Sequence, residues 1–246
     1  MNYHTITVRT LTLGDGRPKI CVPITARNRA ELEEQLLKVR EVPCDMVELR
    51  ADYYEGDPIV ELAVLREQMP KMPLLFTFRT KAEGGECAIA LEEYAALNRR
   101  AAAAADLIDL EYHLGAEFLR GLCRELQESG AKVIASFHDF QKTPEADALV
   151  QLLCTMQELG ADVTKAAVMP QRDEDVWTLL RAAAEMKKQY ADRPYIMMSM
   201  GRLGGISRLA GTLTGSAVTF ATAAASSAPG QMDARLVANV LAALGE

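Results

Sequence analysis

Along the chain, short runs of β-branched and aliphatic residues alternate with longer stretches whose apolar positions recur every three or four residues. The short runs are KICVPIT (19–25), MVELRAD (46–52), LLFTFR (74–79), LIDLEY (107–112), KVIASFH (132–138), DVTKAAVM (162–169), YIMMSM (195–200) and AVTFATA (217–223). This alternation predicts a parallel sheet with helices outside it, and eight strands fit a closed (β/α)8 TIM barrel of the α/β class. Between the strands, Asn28 with Glu31 predicts a capping-box start for a helix carrying Leu32, Leu36 and Val39. Thr143 before Pro144 predicts another start, with Leu149, Leu152, Leu153 and Met156 on one face and Gly160 as the stop. The opening ITVRTLTLGDGRPKI alternates across a GDG turn and predicts an N-terminal β-hairpin closing the barrel bottom. No linker or repeat interrupts the pattern, so 1–246 is read as one domain.

Several strands break the apolar pattern with charged residues of one parity. Glu48 and Arg50 fall on one side of the second strand, with Val47 and Leu49 on the other. The third strand ends at Arg79, the fourth carries Asp109 and Glu111, the fifth ends at His138, and the sixth holds Lys165 between Val163 and Ala167. A structural layer of salt bridges would account for some of these residues. Five consecutive strands contributing them is the pattern of a pocket at the C-terminal ends of barrel strands.

Composition narrows the ligand. The net charge is −7 and no basic block occurs, which excludes nucleic acid or an anionic membrane as the main partner. An anionic small molecule would need a few local arginines. No apolar run is long enough to span a bilayer and the first ten residues lack a signal-peptide core, so a cytoplasmic protein is expected. Five scattered cysteines without a C-x-x-C pair suit a reducing compartment. His4, His113 and His138 show no zinc spacing, and no metal is expected.

A lysine and a histidine on neighbouring strands can perform imine chemistry. A free lysine amine at neutral pH costs about 4.6 kcal/mol at the reference pKa, so a nucleophilic Lys165 must be detuned. An apolar wall (Val163, Val168, Met198, Met200) and positive charge from Arg79, Arg208 or protonated His138 would do this. His138, one strand away, would reach a carbon next to the imine carbon.

The segments VELRADY (47–53), PLLFTFRTKAEGGE (73–86), IDLEY (108–112), SFHDF (136–140), GADVTKAAVMPQ (160–171), ISRLAGTLTGSAVTF (206–220) and SSAPGQ (226–231) together resemble type I 3-dehydroquinate dehydratases over essentially the whole chain. The resemblance implies a barrel lyase that converts 3-dehydroquinate to 3-dehydroshikimate through a lysine imine without metal or cofactor. It implies Lys165 as nucleophile, His138 as general acid/base and Glu83 as the carboxylate orienting the histidine. Arg208 would bind the substrate carboxylate, with Ser227 and Gln231 on a lid after the eighth strand. Glu48, Arg50 and Arg79 would bind the ring hydroxyls. A homodimer is also implied. The chain departs from the family pattern at Pro23, where some members place serine, and at Phe137, where members can have a polar residue. Two other readings share these residues: a class I aldolase, with GRLGG (201–205) as its phosphate loop, and an inactive metabolite-binding barrel.

Overall fold

The structure, a computed structural model, describes residues 3–223 and 226–244. A two-stranded antiparallel hairpin, β1 (Ile6–Val8) and β2 (Leu11–Leu13), precedes eight parallel strands. These are β3 (Lys19–Ile24), β4 (Met46–Arg50), β5 (Leu74–Thr77), β6 (Leu107–Glu111), β7 (Lys132–Asp139), β8 (Val163–Val168), β9 (Tyr195–Ser199) and β10 (Val218–Thr222). They follow one another round the sheet from β3 to β9, with β10 paired to β3. The ring closes between β9 and β10, where Ala217 N donates to Tyr195 O at 2.8 Å and Met197 N donates to Ser216 Oγ at 3.1 Å. The side-chain hydroxyl of Ser216 thus serves as a rung in a ladder that the backbone alone does not complete. A two-residue strand, β11 (Met232–Asp233), adds to the outer end of β10.

Helices α1 (Arg29–Arg40), α2 (Pro58–Gln68), α3 (Leu91–Ala101), α4 (Ala116–Glu128), α5 (Ala146–Glu158) and α6 (Asp173–Glu185) return the chain between β3 and β9. After β9 the connection is two short helices, α7 (Gly205–Leu209) and α8 (Gly211–Thr214), and α9 (Ala234–Leu244) follows the last strand. Asn28 caps α1 by accepting from Glu31 N, while Glu31 reaches back one residue further than a capping box requires, to Arg27 N. The start predicted at Thr143 and Pro144 lies too early. Helix α5 begins at Ala146 after Glu145, and among the described residues the Thr143 hydroxyl finds no partner and so caps nothing.

The hairpin is present, but its turn is not the GDG segment. Val8 pairs with Leu11, which leaves Arg9 and Thr10 as a two-residue loop, and Arg9 adopts φ +54° as such a loop demands. Residues 14–16 instead lead into β3.

Period-two alternation decides what each strand presents to the barrel interior. The outward residues, such as Val47, Leu49, Phe76, Ile108 and Val133, pack against Leu32, Leu62, Leu119 and other helix residues. Along β4 to β8 the inward set changes from apolar to polar toward the C-terminal end. Met46 gives way to Glu48 and Arg50, Leu75 to Thr77, Leu107 to Asp109 and Glu111, Ile134 to Ser136 and His138, and Val163 to Lys165. The apolar inward ends meet Ile6, Val8 and Leu13 of the hairpin, which plug the bottom. The barrel interior is therefore apolar at one end and lined by charge at the other. All five cysteines are free, and Cys21 fills part of the plug.

Leu13 is fully buried in that plug. Leu13→Ala should lower the unfolding free energy in urea by about 2 to 5 kcal/mol, the usual cost of a Leu→Ala cavity. A loss below about 0.5 kcal/mol would mean that the hairpin is not part of the cooperative core.

Candidate active site

The charged end gathers all nine residues singled out from sequence. Glu48, Arg50, Arg79, Glu83, His138, Lys165, Arg208, Ser227 and Gln231 line one cavity, together with Phe140, Met198, Met200 and Phe220. A larger cavity opens at the opposite end between the 14–18 loop and residues 187–191. Its Lys187 amine is already engaged by the carbonyls of Thr212 and Leu213.

Lys165 projects inward from the middle of β8 and is almost fully buried. Its Nζ lies 3.4 Å from Asp109 Oδ2 and 4.5 Å from the centre of the Phe220 ring. The expected surroundings need one correction. Val168 has the opposite parity and packs outside the barrel with Ala166 and the residues of α5 and α6, so it forms no part of the lysine's wall. Met198 and Met200 do line the pocket. A carboxylate stands at the amine where the sequence suggested only apolar and cationic neighbours.

His138 stands one pleat nearer the mouth than Lys165, since β7 and β8 pair Ser136 with Lys165 and His138 with Ala167. Its Nδ1 lies 2.8 Å from Glu83 Oε2. The neutral tautomer with its proton on Nδ1 satisfies that contact and leaves the Nε2 lone pair free. Burial, followed by the positive charges of Arg79, Lys165, Arg50 and His113, pushes the His138 imidazole well below its ordinary pKa. That direction favours the neutral ring, which can accept a proton.

Glu83 reaches its position through a specific turn. The segment Lys81–Glu83 is a single 3₁₀ turn that ends at Gly84 with φ +83°. A Cβ on the next residue, Gly85, would stand 1.9 Å from the Arg79 carbonyl oxygen, so only glycine lets the chain fold back here. Thr80 anchors the start of the turn, its N–H and hydroxyl each donating to Glu111 at 2.7 Å. Glu83 is buried, and burial raises its pKa above the usual carboxylate value.

Beneath these groups lies an ion network. Arg79 Nη2 donates to Asp109 Oδ1 at 2.7 Å, and Nη1 donates to Glu111 Oε1 at 2.9 Å and Ser136 Oγ at 3.0 Å and lies 3.5 Å from Glu83 Oε2. Ser136 in turn donates to Asp109 at 2.6 Å. Arg50 is gripped bidentately by Asp52 at 2.8 Å for both bonds, and Asp52 also accepts from Arg79 N and Glu86 N. Glu48 accepts from the Thr77 hydroxyl at 2.7 Å. Asp52 and Ser136 were not singled out from the sequence, and Asp109 and Glu111 were read as pocket-facing but given no role. The parity of Asp109 and Glu111 signalled them, but nothing in the sequence distinguishes a carboxylate that props an arginine from one that meets a ligand.

Arg208 differs from the other arginines. It sits in the last turn of α7 and is buried. Its Nη2 donates to Pro229 O at 2.9 Å, Nη1 lies 3.5 Å from Met198 Sδ, and Nε has no partner among the described residues. Among the described residues no carboxylate lies within ion-pair distance, and burial alone lowers its pKa to about 10. The loop above it is fastened at two points, since Arg50 Nη1 donates to Ser227 O and Arg208 to Pro229 O. Within the loop, Gln231 accepts from Ser227 N and donates to Ser227 Oγ, at 2.9 Å in each case.

Among the described residues one trio, Glu83, Glu111 and His113, brings carboxylate and imidazole atoms within 4.8 Å of one another, as a metal site would. Arg79 stands against both carboxylates, so a cation would have to share them with a guanidinium. The glycine-rich 201–205 segment makes a poor phosphate cradle. Its Gly201 N–H donates to Pro229 O, and a Cβ on Gly204 would stand 2.4 Å from Ser199 backbone, so that glycine serves close packing. Phe137 points outward into the helix layer and does not meet the cavity.

The geometry can be set beside known proteins. The family model for type I 3-dehydroquinase matches residues 20–246. The chain belongs to that family. It is 45% identical over 247 residues to the 3-dehydroquinate dehydratase of Escherichia coli (strain K12 / DH10B), covering 98% of each chain. Among solved structures it is similar to the type I 3-dehydroquinate dehydratase of Clostridium difficile with covalently modified comenic acid, at TM-score 0.94 and 43% identity, covering 99% of this chain and 98% of that one. The 3-dehydroquinate dehydratase of Geobacillus kaustophilus HTA426 superimposes at TM-score 0.93 with 35% identity, covering 98% and 96%. This dehydratase-family barrel thus carries Lys165, His138 and Arg208 in one cavity, the last with no carboxylate partner among the described residues.

Arg79→Met tests whether the network is structural as well as local. It leaves buried carboxylates uncompensated, and the expected loss is about 3 to 5 kcal/mol at neutral pH in urea unfolding. Burial opposes ionisation of Asp109, but Arg79, Lys165 and Ser136 outweigh it and hold the pKa below the ordinary value. The stability that Asp109 contributes is therefore complete at neutral pH and lost only as pH falls through that lowered value. The difference between Arg79→Met and wild type should narrow in acid. A difference independent of pH would place the cost elsewhere.

Proposed function

We propose that residues 1–246 act as one catalytic domain that dehydrates 3-dehydroquinate to 3-dehydroshikimate through an imine on Lys165. The observation that carries this reading is the convergence of a buried amine, a neutral histidine one pleat away and a buried arginine with no anionic partner among the described residues. A keto acid needs these three groups.

The substrate carboxylate docks on Arg208, whose unpartnered Nε and low-dielectric setting favour a bidentate anion. Ser227 and Gln231 close over the same end, held there by the two arginine contacts to their loop. Glu48, Arg50 and Arg79 face the ring hydroxyls. The Lys165 amine, having passed its extra proton to a neighbouring base, attacks the C3 ketone, and loss of water gives the protonated imine. The cationic imine acidifies the C2 hydrogen. His138 takes that proton at Nε2, with Nδ1 held by Glu83, and returns it to the departing C1 hydroxyl, which leaves as water. Hydrolysis of the conjugated imine, again with His138 moving the proton, frees the product and restores the amine. No metal or cofactor enters the scheme.

Asp109 suits the charge changes on Lys165. Its Oδ2 faces the nitrogen that becomes a cationic iminium in the intermediate, so that charge meets a counter-charge as it forms. Phe220 presents its ring face to the same nitrogen.

A cytoplasmic homodimer is part of the same proposal. Among the described residues no helix is long and apolar enough to cross a membrane. Exposed Trp177, Ile206 and Leu213, on α6, α7 and α8, give apolar surface for a second copy, and sedimentation equilibrium reads the association directly.

Incubation with 3-dehydroquinate should build the ultraviolet absorbance of a conjugated enone, and phosphorylated sugars should give no retro-aldol cleavage. The reverse result would favour the aldolase. No activity in either assay would favour a binding barrel. Arg208→Lys keeps the charge but loses the fork, and should lower kcat/KM by about ten-fold or more, the worth of one charged hydrogen bond. An unchanged kcat/KM would show that the carboxylate docks elsewhere.

A further inference from the structure

Glu83 does not serve His138 alone. Its Oε2 lies 2.8 Å from His138 Nδ1, and its Oε1 lies 3.1 Å from Nδ1 of His113. His113 stands in the single 3₁₀ turn Tyr112–Leu114 that follows β6, and the same Nδ1 is 3.5 Å from Glu111 Oε2. One carboxylate is therefore bracketed by two imidazoles. They differ in their access to water, since the His113 side chain is 33% exposed and that of His138 only 9%.

The scheme above requires a neutral His138, yet a buried carboxylate beside an imidazole ordinarily attracts a proton onto it. Building on that reading, we propose that His113 is a positioning residue for the dehydration: it takes the proton that Glu83 attracts and so keeps His138 in its base form. The two rings compete for one proton. Glu83 has one charge to offer, and a second imidazolium beside it would repel the first. The proton settles on the ring that water solvates. His113 faces Glu83 from the turn after β5, Glu111 from its own strand and Arg79 across both carboxylates. His138 faces Glu83 on one side and the cations Arg79, Lys165 and Arg50 on the others. Each added cation near His138 makes a second proton there harder to hold. The shifts run in the same sense: the hydrogen bond to Glu83 raises His113 above its ordinary value, and burial drives His138 well below. The pair titrates as a coupled system whose first proton belongs to His113.

The chain has three histidines, so 13C-labelled imidazole titrations can be assigned with single variants in the intact enzyme. In wild type, His113 should titrate at higher pH than His138. His113→Asn keeps a neutral donor for Glu83 but cannot carry the proton. It should raise the His138 midpoint by about one pH unit and move the acidic limb of kcat/KM upward with it. His113→Arg, permanently charged, should leave that limb at or below its wild-type position. A purely structural role would lower the rate in both variants without moving the two limbs in different senses. The proposal is overturned if the His138 midpoint stays within about 0.2 units of wild type in His113→Asn, or if both variants shift the limb upward. Should His113→Asn fail to fold, His113→Gln makes the same comparison. The titration is independent of turnover, so a wild-type enzyme that leaves 3-dehydroquinate untouched would refute the dehydratase reading and leave the proton sharing separately decided.

Discussion

One guanidinium organises the charged end of this barrel. Arg79 bonds Asp109 and Glu111 on the next strand and lies against Glu83 on its own loop, and each of those carboxylates reaches a further group. Asp109 meets Lys165, Glu111 clamps Thr80 and so the turn that carries Glu83, and Glu83 holds His138. Burial weakens the case for a charge at Arg79, and the three acids outweigh it, so its pKa stays above the ordinary arginine value. A permanent cation at this point is what lets three buried carboxylates coexist. Remove it and the amine and the imidazole both lose their supports.

The arrangement separates structural charges from available ones. Arg79 and Arg50 are each committed to acids, whereas among the described residues Arg208 has only a carbonyl oxygen and a thioether sulfur. The cost of burying Arg208 is left for a ligand to offset, which concentrates affinity at one end of the cavity. At the other end Lys165 meets an acid and an aromatic face, and His138 a single carboxylate. In the proposed scheme, anchoring and proton transfer fall to different side chains on different elements, α7 for the first and β7 with β8 for the second.

Much of this was legible in the sequence because a barrel strand has a strict period of two. Knowing that Met46 faces inward fixes Glu48 and Arg50 to the same face, and the same rule places Asp109, His138 and Lys165. All eight strands lie where the apolar runs put them, within two residues. The family resemblance supplied Glu83, Arg208, Ser227 and Gln231, which sit on turns and a short helix where no periodicity operates. Local chemistry was read less well. The GDG motif looked like a hairpin turn, but the register of Val8 with Leu11 puts the turn at Arg9 and Thr10. Val168 was assigned to the lysine's wall although its parity turns it to the helices. Asp109 beside Lys165, and His113 on the far oxygen of Glu83, depend on side chains meeting across strands and loops, which one sequence does not encode locally.

The central claim is that Lys165 forms the covalent bond and His138 moves the proton. Borohydride added with substrate or product to the wild-type and His138→Ala enzymes, followed by peptide mass spectrometry, tests both halves together. The account predicts a reduced adduct on the peptide containing Lys165 in wild type, and the same adduct, formed more slowly, in a His138→Ala enzyme whose turnover has fallen by about a hundred-fold or more. An adduct on another lysine, no adduct at all, or a His138→Ala enzyme with near-normal turnover would contradict it.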